Sequence, residues 1–281
     1  MQTFKFTKMQ GAGNDYIYVN CFEEKLEDIN AVAKKVSDRH FGIGSDGLVL
    51  ICPSDKADFR MDMYNSDGTQ AEMCGNATRC VGKYVHDRGL TDKTTVTLET
   101  LAGIKILTLN LNDEGEVETV CVNMGSPELV PKNIPINSEL DRYILEPVEI
   151  DGKAYRATGV SVGNPHAVTY VDNVDELEIE KIGPKFENHP LFPKRINTEF
   201  AQIVDDKTIK MRVWERGAGE TLACGTGACA TMVAANLSGY VGDEADLVLI
   251  GGTLHIKWDK AENNIYMTGP AKFVFDGEIT V

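Results

Sequence analysis

Residues 214–235 read WERGAGETLACGTGACATMVAA, and residues 64–85 read YNSDGTQAEMCGNATRCVGKYV. In each stretch an aromatic residue lies ten positions before a cysteine, and a glycine follows that cysteine directly. The two stretches are offset by 150 residues, and the same offset places Gly13-Asn14 opposite Gly163-Asn164. Because separate matches share one spacing, the sequence predicts two copies of a single structural unit.

The length of the chain also favours two domains. At 281 residues it lies where a single hydrophobic core stops growing and chains divide. From the repeat we predict an N-terminal half over residues 1–118 and a C-terminal half over residues 119–270, with the active site in the cleft between them. The pattern leaves open whether the last segment, residues 271–281, rejoins the first half.

Each matched cysteine lies at the start of a predicted helix. After Cys74, apolar residues recur at helical spacing until Gly89, and after Cys224, small apolar residues continue towards Gly239. The second segment is apolar all round, which predicts a helix buried on every side. Two further helices are predicted within residues 26–40 and 174–188.

The remaining patterned segments predict strands. Alternation of apolar and polar residues indicates hairpins over residues 95–109 and 246–258, and a third over residues 272–281 that turns at Asp276-Gly277. The fold class is therefore α+β. We expect two pseudo-symmetric halves, each a bent, mostly antiparallel sheet wrapped around a central helix.

Composition excludes several classes of protein. The formal charge of −15, with no basic stripe, excludes a nucleic-acid partner, because phosphates would be repelled. No apolar run approaches a membrane span, and the start, MQTFKFTKMQ, has no signal-peptide core. The seven cysteines form no C-x-x-C pair, which speaks against zinc ribbons and thioredoxin-like chemistry. We expect a cytoplasmic protein without a metal site.

The cysteine-glycine pairs at helix starts indicate acid–base chemistry on a carboxylate. A helix N-terminus presents unpaired N–H groups and partial positive charge, which lower the pKa of a thiol and bind anions. If two such termini hold one carboxylate, a thiolate can remove the proton from its α-carbon. The opposite thiol can then deliver a proton to the other face, which inverts the configuration of that carbon.

Two other classes of protein are open at this point. A cysteine hydrolase would use one thiol as nucleophile and His166 as base, and would leave the second cysteine without a role. A carboxylate-binding protein would keep the asparagines and Arg216 but would need no thiols. The repeated cysteine favours the two-thiol enzyme over both alternatives.

Three segments resemble the signature sequences of the diaminopimelate epimerase family. They are MYNSDGTQAEMCGN at 63–76, GNPHAV at 163–168 and WERGAGETLACGTGA at 214–228, and GAGNDY at 11–16 and Asn197-Thr198-Glu199 also fit. The resemblance implies a fold of two similar α+β halves. It also implies a cofactor-independent isomerase that interconverts LL- and meso-2,6-diaminopimelate in the synthesis of lysine and peptidoglycan precursors.

The resemblance further implies roles for individual residues. Cys74 and Cys224 would be the acid and the base, and His166 and Glu215 would tune their pKa values. The implied substrate-binding residues are Asn14, Asn65, Gly75, Asn76, Asn164, Asn197, Glu215, Arg216, Gly225 and Thr226. The nearest rival activity is that of another cofactor-independent racemase, such as a proline racemase. The partner is a small-molecule substrate, and the hairpin edges would allow a homodimer.

Overall fold

The computed structural model of the chain describes all residues from 1 to 281, in four helices and eighteen strands. The chain divides into two units. Unit 1 comprises residues 1–123 together with 268–281, and unit 2 comprises residues 124–267. No helix combines the length and the apolar character that crossing a membrane requires.

Unit 1 is a mixed, mostly antiparallel sheet with two helices. Its elements are β1 (Thr3–Gly11), β2 (Asn14–Asn20), α1 (Ile29–Ser37), β3 (Gly47–Cys52), β4 (Phe59–Asn65), β5 (Gln70–Ala71), α2 (Gly75–Asp87), β6 (Thr95–Thr100), β7 (Gly103–Leu111), β8 (Val117–Gly125) and, from the end of the chain, β18 (Lys272–Thr280). The pairs β2–β3 and β4–β6 are parallel. The pairs β18–β1, β1–β2, β3–β4, β4–β5, β6–β7 and β7–β8 are antiparallel.

Unit 2 has the same construction. Its elements are β9 (Glu146–Ile150), β10 (Lys153–Ser161), β11 (Pro165–Tyr170), α3 (Ile179–Glu187), β12 (Asn197–Ile203), β13 (Thr208–Glu215), β14 (Gly219–Thr221), α4 (Gly225–Leu237), β15 (Glu244–Leu249), β16 (Gly252–Asp259) and β17 (Asn264–Pro270). The pairs β11–β12 and β13–β15 are parallel. The pairs β9–β10, β10–β11, β12–β13, β13–β14 and β15–β16 are antiparallel.

The two units therefore pair their strands in the same order, with parallel pairs at the same places. Helices α1 and α3 begin 150 residues apart, and so do α2 and α4. This equivalence confirms the predicted α+β fold of two similar halves.

The helix that follows each cysteine is the central helix of its unit. Helix α2 packs on β1, β2 and β7, and α4 packs on β10, β11, β12, β15 and β16. Residues 227–235 of α4 are buried on every side, because their small side chains let strands approach the helix from several directions. The N-terminus of each central helix is thus held by the sheet of its own unit.

The predicted C-terminal hairpin is wrong. Residues 272–280 form one strand, β18, which runs antiparallel to β1. Gly277 pairs with Phe6, and a Cβ at Gly277 would lie 2.6 Å from Cζ of that ring. Asp276 accepts a hydrogen bond of 2.6 Å from the hydroxyl of Thr7 on β1. The Asp-Gly dipeptide therefore serves packing across the strand pair rather than a turn.

The outer helices α1 and α3 are shorter than predicted. Asp28 adopts a left-handed conformation (φ 48°), so α1 starts only at Ile29. Before α3, a guanidinium nitrogen of Arg212 donates to the carbonyls of Val174 and Leu177 at 2.9 and 2.8 Å. These bonds hold residues 174–177 in a turn, which leaves the helix to begin at Ile179.

Phe186 of α3 is a large side chain in the hydrophobic core of unit 2. Its side chain is fully buried and meets the rings of Tyr155 and Phe200 edge-on at 5.4 and 5.6 Å. We expect Phe186→Ala to lower the free energy of unfolding by about 3–5 kcal/mol, measured by denaturant titration. Phe41→Ala, at a 90% exposed ring, is the matched control and should change little.

Candidate active site

Cys74 lies at the N-cap of α2, where its backbone is extended (φ −134°, ψ 123°). Its thiol donates to Oδ1 of Asn14 at 3.3 Å. The amide nitrogen of Asn14 donates to Asp46 at 2.6 Å, which fixes the direction of the amide. Asn14 is the first residue of β2 and follows Gly13, whose positive φ of 83° reverses the chain between β1 and β2. The structure thus brings together two of the predicted site residues, Asn14 and Cys74.

Tyr16 belongs to the same group of side chains. It is two residues after Asn14 on β2, and its hydroxyl lies within hydrogen-bonding contact of Asn14 and Cys74. Burial, followed by the charges of Cys74 and Asp46, raises the pKa of Tyr16 far above its usual range. The phenol therefore stays protonated and is a permanent hydrogen-bond donor. We call Asn14, Tyr16, Asp46 and Cys74 the Cys74 cluster.

Asn76 and Asn65 are held by local contacts. Asn76 is buried in the first turn of α2, and its Oδ1 accepts from a guanidinium nitrogen of Arg79 at 2.8 Å. The side-chain oxygen of Asn76 is thus already hydrogen-bonded. The backbone N–H groups of Gly75 and Asn76, in contrast, lie in the first helical turn, where N–H groups have no acceptor within the helix. Asn65, at the end of β4, donates to the hydroxyl of Thr69 at 3.0 Å.

Cys224 occupies the equivalent N-cap in unit 2. Its backbone is again extended (φ −120°, ψ 108°), and its sulfur accepts from the N–H of Gly227 at 3.4 Å. The hydroxyl of Thr226 lies 3.5 Å from the sulfur. Glu215, at the end of β13, is hydrogen-bonded to Cys224 and accepts from the hydroxyl of Thr221. We call Glu215, Thr221, Cys224 and Thr226 the Cys224 cluster.

The electrostatics of Cys224 differ from the sequence-based expectation. Burial raises the pKa of the Cys224 thiol well above its ordinary value, and the nearby carboxylates of Glu215 and Glu199 raise it further. The contacts with Thr226 and Gly227 lower it, but burial outweighs them. The expectation that the helix terminus depresses this pKa is therefore wrong, because the thiol is buried and lies near two carboxyl groups.

Glu215 is perturbed in the same direction. Burial raises the pKa of its carboxyl group, although the bond from Thr221 and the proximity of His166 oppose the change. A carboxyl whose pKa is raised towards neutrality is suited to exchange protons with a neighbour. Glu215 and Cys224 together form a hydrogen-bonded acid–base pair.

His166 and Asn164 lie beside one another on β11 and the turn before it. His166 is fully buried; its Nδ1 lies 2.7 Å from Oε1 of Glu199, and its Nε2 lies 2.9 Å from Oδ1 of Asn164. Strands β11 and β12 are parallel neighbours, and this pairing carries Glu199 to the histidine. His166 is therefore held from both sides by hydrogen bonds.

Asn197 and Arg216 are joined through the backbone. The amide nitrogen of Asn197 donates to the carbonyl of Pro165 at 2.8 Å, and its oxygen accepts from the N–H of Arg216 at 2.9 Å. Asn197 is buried, whereas Arg216 is exposed and donates to the carbonyl of Lys194 at 3.2 Å. Asn197 thus ties the Asn164 turn to the residue that carries the guanidinium group.

Sequence reasoning assigned no role to Tyr16, Thr221 or Glu199. All three lie in segments that resemble the family, and that resemblance was the usable signal. The strand of Glu199 reads NTEFAQI, and its polar residues do not indicate a buried strand, so the rarity of buried charges gave no signal here. Thr221 is a threonine in a short strand, which is ordinary.

Solved structures share this fold over nearly the whole chain. A phenazine biosynthesis protein of the PhzF family from Bacillus anthracis matches with a TM-score of 0.72 and 19% sequence identity over 100% of both chains. A hydroxyproline epimerase from Agrobacterium vitis, with bound trans-4-OH-L-proline, matches with a TM-score of 0.69 and 14% identity over 99% of this chain and 91% of that chain. The chain is therefore a member of this two-unit α+β fold class.

Sequence comparison defines the family within that class. The family model described as diaminopimelate epimerase matches residues 6–130 and 158–274. A diaminopimelate epimerase from Acetivibrio thermocellus is 64% identical over 275 residues, which is 98% of each chain. Another from Methanococcus maripaludis is 58% identical over 277 residues, 99% of this chain and 100% of that protein. The chain belongs to the diaminopimelate epimerase family.

Proposed function

We propose that this protein is an isomerase that interconverts LL- and meso-2,6-diaminopimelate by proton transfer at one α-carbon. The observation that carries the proposal is that Cys74 and Cys224 occupy the same N-cap position in two equivalent units of a diaminopimelate epimerase family member. Inversion of a stereocentre needs a base and an acid on opposite faces of the carbon. Two copies of one unit supply one thiol each.

In this proposal the central helices hold the reacting carboxylate. The N–H groups of Gly75 and Asn76 in α2, and of Gly225 and Thr226 in α4, lie in first helical turns and have no helical acceptor. Such groups stabilise a carboxylate and, more strongly, the negative charge that develops on it when the α-proton leaves.

The two clusters suggest which sulfur begins as the acid. Because burial and two carboxylates raise the pKa of Cys224, it rests as a thiol. Cys74 acts in its ionised form: the thiolate takes the α-proton, and the hydroxyl of Tyr16 donates a hydrogen bond to that thiolate. Cys224 then delivers its proton to the opposite face of the carbon. In the reverse direction Cys224 must become the base, and Glu215 accepts its proton.

The polar residues around the clusters fit the rest of the substrate. Diaminopimelate carries two ammonium and two carboxylate groups, which require both acceptors and donors. We assign Asn14, Asn65, Asn164 and Glu215 to these groups, and the exposed guanidinium of Arg216 to the carboxylate that does not react. Asn197 contributes by holding Arg216 and the turn at Pro165.

The decisive experiment follows deuterium from solvent into the substrate. We expect purified protein, incubated with LL-diaminopimelate in D2O, to form the meso isomer and to incorporate one deuterium at the inverted α-carbon, as read by mass spectrometry and NMR. L-Proline in a parallel reaction tests the proline racemase alternative and should gain none. Inversion of proline in place of diaminopimelate, or no exchange with either amino acid, would refute the proposal.

The setting of the reaction is part of the same proposal. We place it in the cytoplasm, because free thiols of this kind need a reducing compartment. The proposal includes a homodimer, which the exposed apolar residues Val274 and Phe275 on β18 (54% and 48% exposed) would allow.

A further inference from the structure

Glu199 is a buried acid whose only part in the proposed mechanism so far is its charge near Cys224. The residue is fully buried on β12. Its Oε1 lies 2.7 Å from Nδ1 of His166, while its Oε2 has no hydrogen-bond partner. A buried carboxyl oxygen without a partner is costly, so a residue kept in this state needs a compensating role.

The carboxyl group is seated against the start of α4 as well as against His166. If Gly227 carried a Cβ, that atom would lie 2.6 Å from Oε1 of Glu199. The bare backbone of Gly227 therefore makes the space in which the carboxyl reaches Nδ1 of His166. Glu199 is confined from two sides and cannot turn away from the imidazole.

The contacts of His166 determine where its protons lie. Both ring nitrogens face oxygen atoms, Oε1 of Glu199 and Oδ1 of Asn164. One proton lies between Nδ1 and the carboxyl group, whichever of the two holds it. Nε2 must then carry a proton as well, because Oδ1 of Asn164 can only accept. The pair of Glu199 and His166 thus holds two protons: with Glu199 as a carboxylate, the ring is protonated on both nitrogens and its charge is balanced by that carboxylate.

The donor at Nε2 in turn orients an amide. Asn164 can present either its oxygen or its amino group to His166, and the two arrangements differ only in their hydrogen bonds. When Nε2 carries a proton, only the arrangement with Oδ1 towards the ring forms a hydrogen bond. The amino group, with its two N–H donors, is then the part of Asn164 left for a ligand.

We infer that Glu199 is a positioning residue which, through His166, fixes the amide of Asn164 so that its amino group meets a carboxylate of the substrate. The inference rests on the proposed function for the identity of that carboxylate. Without the carboxylate nothing balances a charged ring in this buried position, so the imidazole becomes neutral. With its single proton on Nδ1, Nε2 becomes an acceptor, and Asn164 turns its amino group towards the ring. Its oxygen then faces the anionic substrate and repels it.

Glu199→Gln tests the inference because it keeps the shape of the side chain. Glutamine can either accept from Nδ1–H or donate to Nδ1, so it no longer selects one ring state. In ¹⁵N NMR of histidine-labelled protein, His166 of the wild type should show a protonated Nε2, and the variant should show a mixture of tautomers. We also expect KM for diaminopimelate to rise on the order of tenfold, with a smaller change in kcat. Glu128→Gln in the same unit, a residue that binds only nearby loop groups, is the matched control.

A double-mutant cycle separates positioning from a merely structural role. In an Asn164→Ala background, Glu199→Gln should change KM less than about twofold, because no amide remains to be oriented. An equal rise in both backgrounds, or unchanged His166 signals, would overturn the inference.

The wild-type spectrum is informative even if the variant does not fold. An unprotonated Nε2 in the wild type would by itself contradict the proton placement. If the wild type does not act on diaminopimelate, the proposed function fails, while the spectra still decide whether Glu199 sets the state of His166. The two failures are thus distinguishable.

Discussion

Replacement of either Cys74 or Cys224 by alanine should lower kcat/KM for diaminopimelate by about 10³-fold or more, because each removes one of the two proton-transfer groups. The measurement is the rate of conversion of the LL isomer, followed by chromatography. Cys121→Ala, at a half-exposed cysteine of β8 outside both clusters, is the matched control and should stay active. Full turnover in either of the first two variants would exclude a two-thiol mechanism.

Isotope exchange makes the same pair of variants more informative. In D2O the enzyme that lacks Cys224 keeps a thiolate on one face only. It should therefore exchange the α-proton of one isomer and return a deuteron to the same face without inversion. The enzyme that lacks Cys74 should exchange the other isomer. If one variant exchanges both isomers, a single group serves both faces and the assignment of roles is incorrect.

The repeat is the part of the fold that the sequence revealed most clearly. The shared spacing between Asn14 and Cys74, and between Asn164 and Cys224, follows from equivalent strand–helix units: Asn14 begins β2, Asn164 directly precedes β11, and the two cysteines are the N-caps of α2 and α4. The number of residues between equivalent positions stays the same in two copies of a unit even when most side chains differ. It therefore reveals a duplicated fold when few residues are identical between the copies. The two similar halves followed from this one pattern, and the α+β class followed from the helical and alternating segments within them.

The C-terminal strand could not be predicted from its own residues. An Asp-Gly pair between apolar residues indicates a hairpin in isolation. Here Gly277 lies under the ring of Phe6, which is more than 250 residues away in the sequence. A tight hairpin turn and close packing against a distant aromatic ring both favour glycine. Only the tertiary structure shows which of the two reasons applies at Gly277.

The charge state of Cys224 was also beyond local reasoning. The helix terminus is visible in the sequence, and it does favour a thiolate. Burial and the carboxylates of Glu215 and Glu199 come from three separate strands and helices, and together they outweigh the terminus. For the same reason Glu199 went without a role, because its partner His166 is 33 residues away on the neighbouring strand.

Glu215→Gln should separate three properties that usually change together. The first is activity, which we expect to fall about 10²–10⁴-fold, because an amide cannot take the proton from Cys224 when this residue must act as the base. Since the equilibrium between the isomers is fixed, kcat/KM must fall by the same factor in both directions. Measurement from each isomer checks this internally.

The second property is the reactivity of Cys224, which should rise. The carboxylate of Glu215 helps to raise the pKa of this thiol, so its removal lowers that pKa and increases the thiolate fraction at neutral pH. Iodoacetamide should therefore modify Cys224 faster in the inactive variant than in the active wild type, as read by peptide mass spectrometry. Slower alkylation would mean that Glu215 activates the thiol already at rest.

The third property is stability, and its sign depends on pH. Burial raises the folded-state pKa of Glu215 above the ordinary value of 4.5, so ionisation of this carboxyl opposes folding. The cost is absent below that ordinary value and grows as the pH rises towards the folded-state pKa. Glu215→Gln should therefore have the higher Tm at pH 7, and the difference should vanish near pH 4. If the wild type and the variant have equal Tm values at both pH values, ionisation of the buried carboxyl does not oppose folding. The reason to regard Glu215 as the proton acceptor of Cys224 would then be lost.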